Sequence, residues 1–139
     1  MTVAFVLDAS IALAWCFADE ATAESWEVLD RLDADDAVAP SLLSLEIANV
    51  LALAERRQRI DRSRVAEFIG LIESLAIEID EETSTHALHA VLDLARDEAL
   101  TAYDASYLEL ALRLGLPLAT KDAALRRAAA ALGVRLLGA

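Results

Sequence analysis

Four acidic residues of this 139-residue chain, Asp8, Glu46, Asp104 and Asp122, could act together in chemistry: two stand at strand ends and two on the apolar faces of helices, where a lone carboxylate is costly. Asp104 lies in "LTAYDASYLELALRLGLPLATKD", which reads as a helix, a Gly-Leu-Pro stop and a short strand. At about 100° per residue it shares a helical face with Leu108, Ala111, Leu112 and Gly115, whereas Glu109 and Arg113 fall on the opposite, polar face. Glu46 repeats the pattern in "SLLSLEIANVLALAERR", sharing a face with Leu42, Val50 and Leu53 while Glu55 lies on the far side. Asp8 follows an apolar run in "VLDAS", and Asp122 closes "LATKD". Taken singly, each residue has an ordinary explanation. The strand-end aspartates fit helix N-caps, worth about 1 kcal/mol each, and either helix acid fits an amphipathic boundary or a pair with an arginine.

Taken together, the four describe a pocket of carboxylates with no basic partner among them. Such groups cannot all stay ionised within a few ångströms of one another; some take up protons or a cation binds. Oxygen-only ligation selects a hard divalent ion, one or two of Mg²⁺ or Mn²⁺, rather than zinc. His86 and His89 are three apart but lack the cysteine or acidic spacing of a zinc site. Ser10, Asn49 and Thr120 stand within a turn or two residues of the acids, where they could orient a carboxylate or a water by hydrogen bonds. The chemistry this set suits is hydrolysis of phosphate esters, with the cation lowering the pKa of the attacking water and neutralising the phosphate.

The elements that must position these residues alternate along the chain. Val3 to Leu7, Ala37 to Ala39, Ala76 to Ile79, Pro117 to Thr120 and Val134 to Leu136 read as short buried strands, separated by helical stretches. The helical material after Asp8 is broken near Asp19, a long helix opens at Pro40-Ser41 and runs to about Arg57, and Ser63 is placed to cap the next. Strands separated by helices pair in parallel through right-handed crossovers. The expected fold is a three-layer α/β/α sandwich around a central parallel sheet of four to five strands, in one domain spanning residues 1–139. Ligands of open parallel sheets bind beyond the carboxyl ends of the strands, the edge to which Asp8 and Asp122 both belong.

Composition constrains partners and compartment. No apolar run approaches the roughly 18 to 20 residues of a membrane span, and the run after Asp8 lacks the basic flank of a secretory signal, so the expectation is a cytoplasmic protein without membrane association. Cys16, the only cysteine, reads as a buried, inert thiol. Twelve basic residues against 24 acidic ones give a net charge of −12, unfavourable for a nucleic-acid binder. Five of those basic residues, Arg56, Arg57, Arg59, Arg62 and Arg64, nevertheless cluster around one turn. They form either a solvated turn or a local phosphate contact, with Arg56, Arg57 and Arg59 the candidates for touching RNA.

In order and spacing, "VLDAS", "SLLSLEIANVL", "LTAYDASYLELA" and "PLATKDAAL" resemble the four acidic motifs of the PIN-domain nucleases, and especially of the VapC-type toxins of type II toxin-antitoxin pairs. The resemblance runs from about Val3 to Leu136. It implies an Mg²⁺-dependent endoribonuclease with Asp8, Glu46, Asp104 and Asp122 as catalytic and metal-holding quartet and Ser10 and Thr120 in support. It also implies an RNA substrate, a cognate antitoxin and a homodimer. Asp80, Asp93 and Asp97 match no motif position and read as surface acids. Two other readings stand beside this one. One is a catalytically inactive PIN-like module that binds protein through the acidic pocket. The other is a phosphatase or phospho-receiver, although Ser10 stands where an aspartyl-nucleophile phosphatase would have its second aspartate.

Overall fold

The structure, a computed structural model, describes residues 3–138; the remaining residues of the expected 1–139 domain lie outside the described part. Strand β1 (Val3–Leu7) leads through helices α1 (Ala9–Ala14) and α2 (Ala23–Arg31) to β2 (Asp36–Pro40). Helices α3 (Leu42–Arg56) and α4 (Arg62–Ser74) lead to β3 (Ile77–Asp80). A long return follows through α5 (Thr83–His86), a π-helical turn (Ala87–Val91), α6 (Leu92–Glu98) and α7 (Ala102–Leu114) to β4 (Leu118–Ala119). Helix α8 (Ala123–Ala131) and β5 (Leu136–Leu137) complete the order.

All strands pair in parallel, in the order β3-β2-β1-β4-β5. The chain steps from β1 to β3 in one direction and from β4 to β5 in the other. Right-handed crossovers therefore put α1–α4 on one face and α5–α8 on the opposite face, the expected three-layer sandwich. Phe5, Val6 and Leu7 of β1 are fully buried, as a central strand covered on both faces requires. The strand order reverses between β1 and β4, where Val6 is paired with Leu118 and Leu7 with Ala119. That crevice is where an open parallel sheet places its ligand.

Three local expectations change. Helix α4 is capped by Asp61, whose carboxylate accepts the Arg64 N–H at 2.8 Å, and Ser63 lies inside the first turn. The supposed polar face of α7 is not solvated: Glu109 is 4% exposed, whereas Leu112 and Gly115 of the supposed inner face are exposed. Helix α7 packs on β1 and β2 and against α6 and α8, so most of its circumference is covered. Asp80, expected at the surface, shares with Glu109 the counter-charge of Arg113 that lets Glu109 be buried. Arg113 donates to Glu109 at 2.8 Å and to both oxygens of Asp80 at 2.9 and 3.2 Å, tying α7 to the end of β3. The guanidinium holds the Asp80 carboxyl below its ordinary value. Among the described residues no helix is long and apolar enough to cross a membrane.

Candidate active site

Asp8 is the best-anchored of the four acids. It leaves β1 where its N–H still bonds the Ala119 carbonyl of β4, and it caps α1. Its Oδ2 accepts the hydroxyl of Ser10 at 2.6 Å and that of Thr120 at 2.7 Å. The same hydroxyls act a second time as acceptors: Ser10 Oγ takes the N–H of Lys121 and Thr120 Oγ1 the N–H of Asp122. Two small side chains thus zip the end of β1 to the end of β4. Asp122 in turn caps α8, accepting from the Leu125 N–H at 2.8 Å. For both strand-end aspartates the capping explanation and the site explanation hold at once, because the caps fix the carboxylates at the edge.

Asp104 sits in the first turn of α7, its N–H held by the N-cap hydroxyl of Thr101. Burial, then the nearby charges of Asp122 and Asp8, push its carboxyl up to about 6. Glu46, in the second turn of α3, belongs to the opposite helix layer. Tyr107 bridges to it: the fully buried phenol donates to Glu46 Oε1 at 2.7 Å. Burial raises the Glu46 carboxyl, Tyr107 partly offsets that, and the charges of Asp8 and Asp104 raise it further. Asp8 is raised mainly by burial, against its hydrogen bonds from Ser10 and Thr120. The structure therefore gathers all four acids at one edge of the sheet, with Glu46 and Asp104 perturbed by their neighbours, and among the described residues no lysine or arginine side chain is hydrogen-bonded to any of them. Among the described residues no three acidic, His or Cys side chains are drawn together tightly enough to hold a metal ion as they stand. The donor set, all oxygen, anionic and partly desolvated, fits a hard divalent cation.

The other expected site residues divide. Ser10 and Thr120 touch Asp8 as described. Asn49 is exposed and makes no hydrogen bond to any of the acids. Asp97 is exposed and does not contribute to the raised Asp104 carboxyl. Within the arginine cluster, Arg59 is taken up by Asp19 and Glu20 at 2.9 and 2.8 Å and lies over the Phe17 ring. Arg64 donates to the Trp15 and Cys16 carbonyls at the end of α1. Arg56 and Arg57 remain exposed, at the far end of α3, about 15 Å along the helix axis from Glu46. Tyr107 is the residue that sequence reasoning passed over. Its signal was present, since a tyrosine buried on a core helix needs a partner for its hydroxyl.

A family model described as PIN domain matches residues 5–131. The chain belongs to the PIN domain family. PIN domains are generally metal-dependent nucleases. Among solved structures, PAE2754 from Pyrobaculum aerophilum is similar at 26% identity and a TM-score of 0.68, with 92% of this chain and 87% of that one covered. FitAcB from Neisseria gonorrhoeae shares the fold at 19% identity and a TM-score of 0.57, with 95% of each chain covered. No curated protein matches the chain. The four acids singled out in the sequence lie at the switch point of this fold.

Proposed function

We propose that this PIN domain is an Mg²⁺-dependent endoribonuclease, with Mn²⁺ able to substitute, that hydrolyses RNA phosphodiester bonds as the toxin of a toxin-antitoxin pair. The observation that carries the reading is the convergence of Asp8, Glu46, Asp104 and Asp122 without a basic partner. A fold gains nothing in stability from gathering Asp8, Asp104 and Asp122 around Glu46, where the neighbouring charges raise the Glu46 and Asp104 carboxyls, so the cluster is kept for a charge that arrives from outside.

Asp8, Asp104 and Asp122 would hold the cation, with Glu46 facing them from the other helix layer. A bound divalent cation supplies a lower pKa for the attacking water, compensation of phosphate charge and stabilisation of the leaving oxygen. The protein's own residues supply geometry. Ser10 and Thr120 both donate to Oδ2 of Asp8 and so fix its plane, leaving Oδ1 for the cleft. Thr101 and Asp122's cap bond hold the other two aspartates at helix starts, where little rotation is free.

The cognate antitoxin is the protein partner in this reading, and a homodimer its working unit. An apolar groove of about 370 Å³ between α3 and α4, lined by Leu43, Ile47, Leu51, Phe68, Ile69 and Ile72, supports a protein partner. The test is cleavage of a mixed pool of structured and unstructured RNAs by purified chain, with Mg²⁺, with Mn²⁺ and with chelator, and with Asp104→Asn in parallel. Metal-dependent cleavage that disappears in the variant is expected. No cleavage by a folded chain that binds the metal overturns the reading and leaves a protein-binding module.

A further inference from the structure

Tyr103 is 67% exposed, the residue immediately before Asp104 on the first turn of α7. It is four residues from Tyr107, hence on the same stripe of the helix and one turn, about 6 Å, nearer the N-terminus. Tyr107 points across the sheet edge to Glu46. Tyr103 is thus an exposed aromatic residue next to Asp104 and one turn from the tyrosine that bonds Glu46. Trp26 is the other aromatic residue among the exposed large hydrophobics, at 44%, and it lies on α2, away from the acids.

Charge gives this ring a task. A chain of net charge −12 holds a polyanion poorly by charge alone, and two of the five clustered arginines are taken up within the fold. Stacking of nucleobases on an aromatic ring is insensitive to that deficit, because every base has a π-face and none carries the phosphate charge. A base paired in a duplex cannot stack there without leaving its helix, whereas an unpaired base next to the scissile phosphate can.

We propose that Tyr103 is the stacking platform for an unpaired nucleobase flanking the bond to be cut. This rests on the nuclease reading above. The ring lies on the surface, so its removal leaves the packing of α7 intact.

The experiment uses the full chain inactivated by Asp122→Asn, in Mg²⁺, with short oligoribonucleotides carrying 2-aminopurine at successive positions. Tyr103→Ala is expected to weaken single-strand binding roughly five- to a hundred-fold and to abolish the quenching of the one 2-aminopurine that stacks. Tyr103→Phe is expected to keep both, and the thermal midpoint is expected to stay the same in all three chains. A complementary duplex is expected to bind more weakly and to be indifferent to residue 103. Equal single-strand affinity and quenching in the parent and Tyr103→Ala overturns the proposal while leaving the nuclease reading in place, and assigns the ring to a protein contact instead. Failure of the parent to bind RNA, together with failure of the wild type to cleave it, overturns both.

Discussion

Tyr107 and Glu46, 61 positions apart and in opposite helix layers, are joined by a single 2.7 Å hydrogen bond over the carboxyl edge of the sheet. Asp104 lies one turn before Tyr107, so one helix delivers one acid of the cluster and orients another.

Tyr107→Phe removes that donor while keeping the buried ring. Glu46 then regains rotational freedom, and its affinity contribution falls with it. The expected outcome is a loss of roughly ten- to a hundred-fold in Mn²⁺ affinity, measured by titration calorimetry without RNA, with the fold retained by circular dichroism. Unchanged Mn²⁺ affinity would remove Tyr107 from the site.

Asp104→Asn deletes a carboxylate held near Asp8 and Asp122. In metal-free protein the variant should be as stable as the wild type or more so. The folded-state value of about 6 lies above the ordinary 3.8, so protonation favours the folded chain. The contribution of this group is fully present below about 3.8 and is lost as the pH rises through about 6. The stability difference between the two proteins should therefore open between pH 4 and 7 in thermal melts with chelator. A variant less stable than wild type at pH 7 would show a structural bond where repulsion is expected.

Arg113→Ala leaves Glu109 and Asp80 without their shared counter-charge, with side chains 5% and 10% exposed. Removing one partner of a buried ion pair costs about 3 kcal/mol or more. A clear fall in the urea midpoint is expected, and a shift of only a few tenths of a kcal/mol would mean that water compensates the two acids.

The arginine turn separates into two roles. Arg56→Ala combined with Arg57→Ala should reduce the salt dependence of RNA binding by a slope of about 0.7 per lost phosphate contact. Arg59→Ala should leave that slope alone and instead accelerate amide exchange in residues 17–22, the loop it pins through Asp19 and Glu20. A slope that falls with Arg59→Ala would restore it to the RNA surface.

The layers and the strand sequence were legible in the chain because apolar strands recur between helical stretches, and the acids were legible because Glu46 and Asp104 break the apolar faces of their helices while Asp8 and Asp122 end strands at the same edge. What stayed hidden was relational. A helical projection of α7 treats Glu109 and Arg113 as solvated because it sees one helix, and the carboxylate that lets them be buried, Asp80, comes from another element. Arg59 reads as a free cation until the loop with Asp19 and Glu20 folds against it. Asp61 and Ser63 are both good capping residues two positions apart, and only the backbone conformation at Asp61 decides between them.

The strand order has a consequence in time. The strands β1, β2 and β3 are neighbours in sequence and in space, whereas β4, made later, pairs with β1. Thr120, which locks Asp8, comes 112 positions after it. Domains form from the N-terminus during synthesis at roughly 5–20 residues per second. A nascent chain at the ribosome, surrounded by RNA, therefore holds Asp8, Glu46 and Asp104 but neither Asp122 nor the Thr120 lock on Asp8 until β4 docks beside β1.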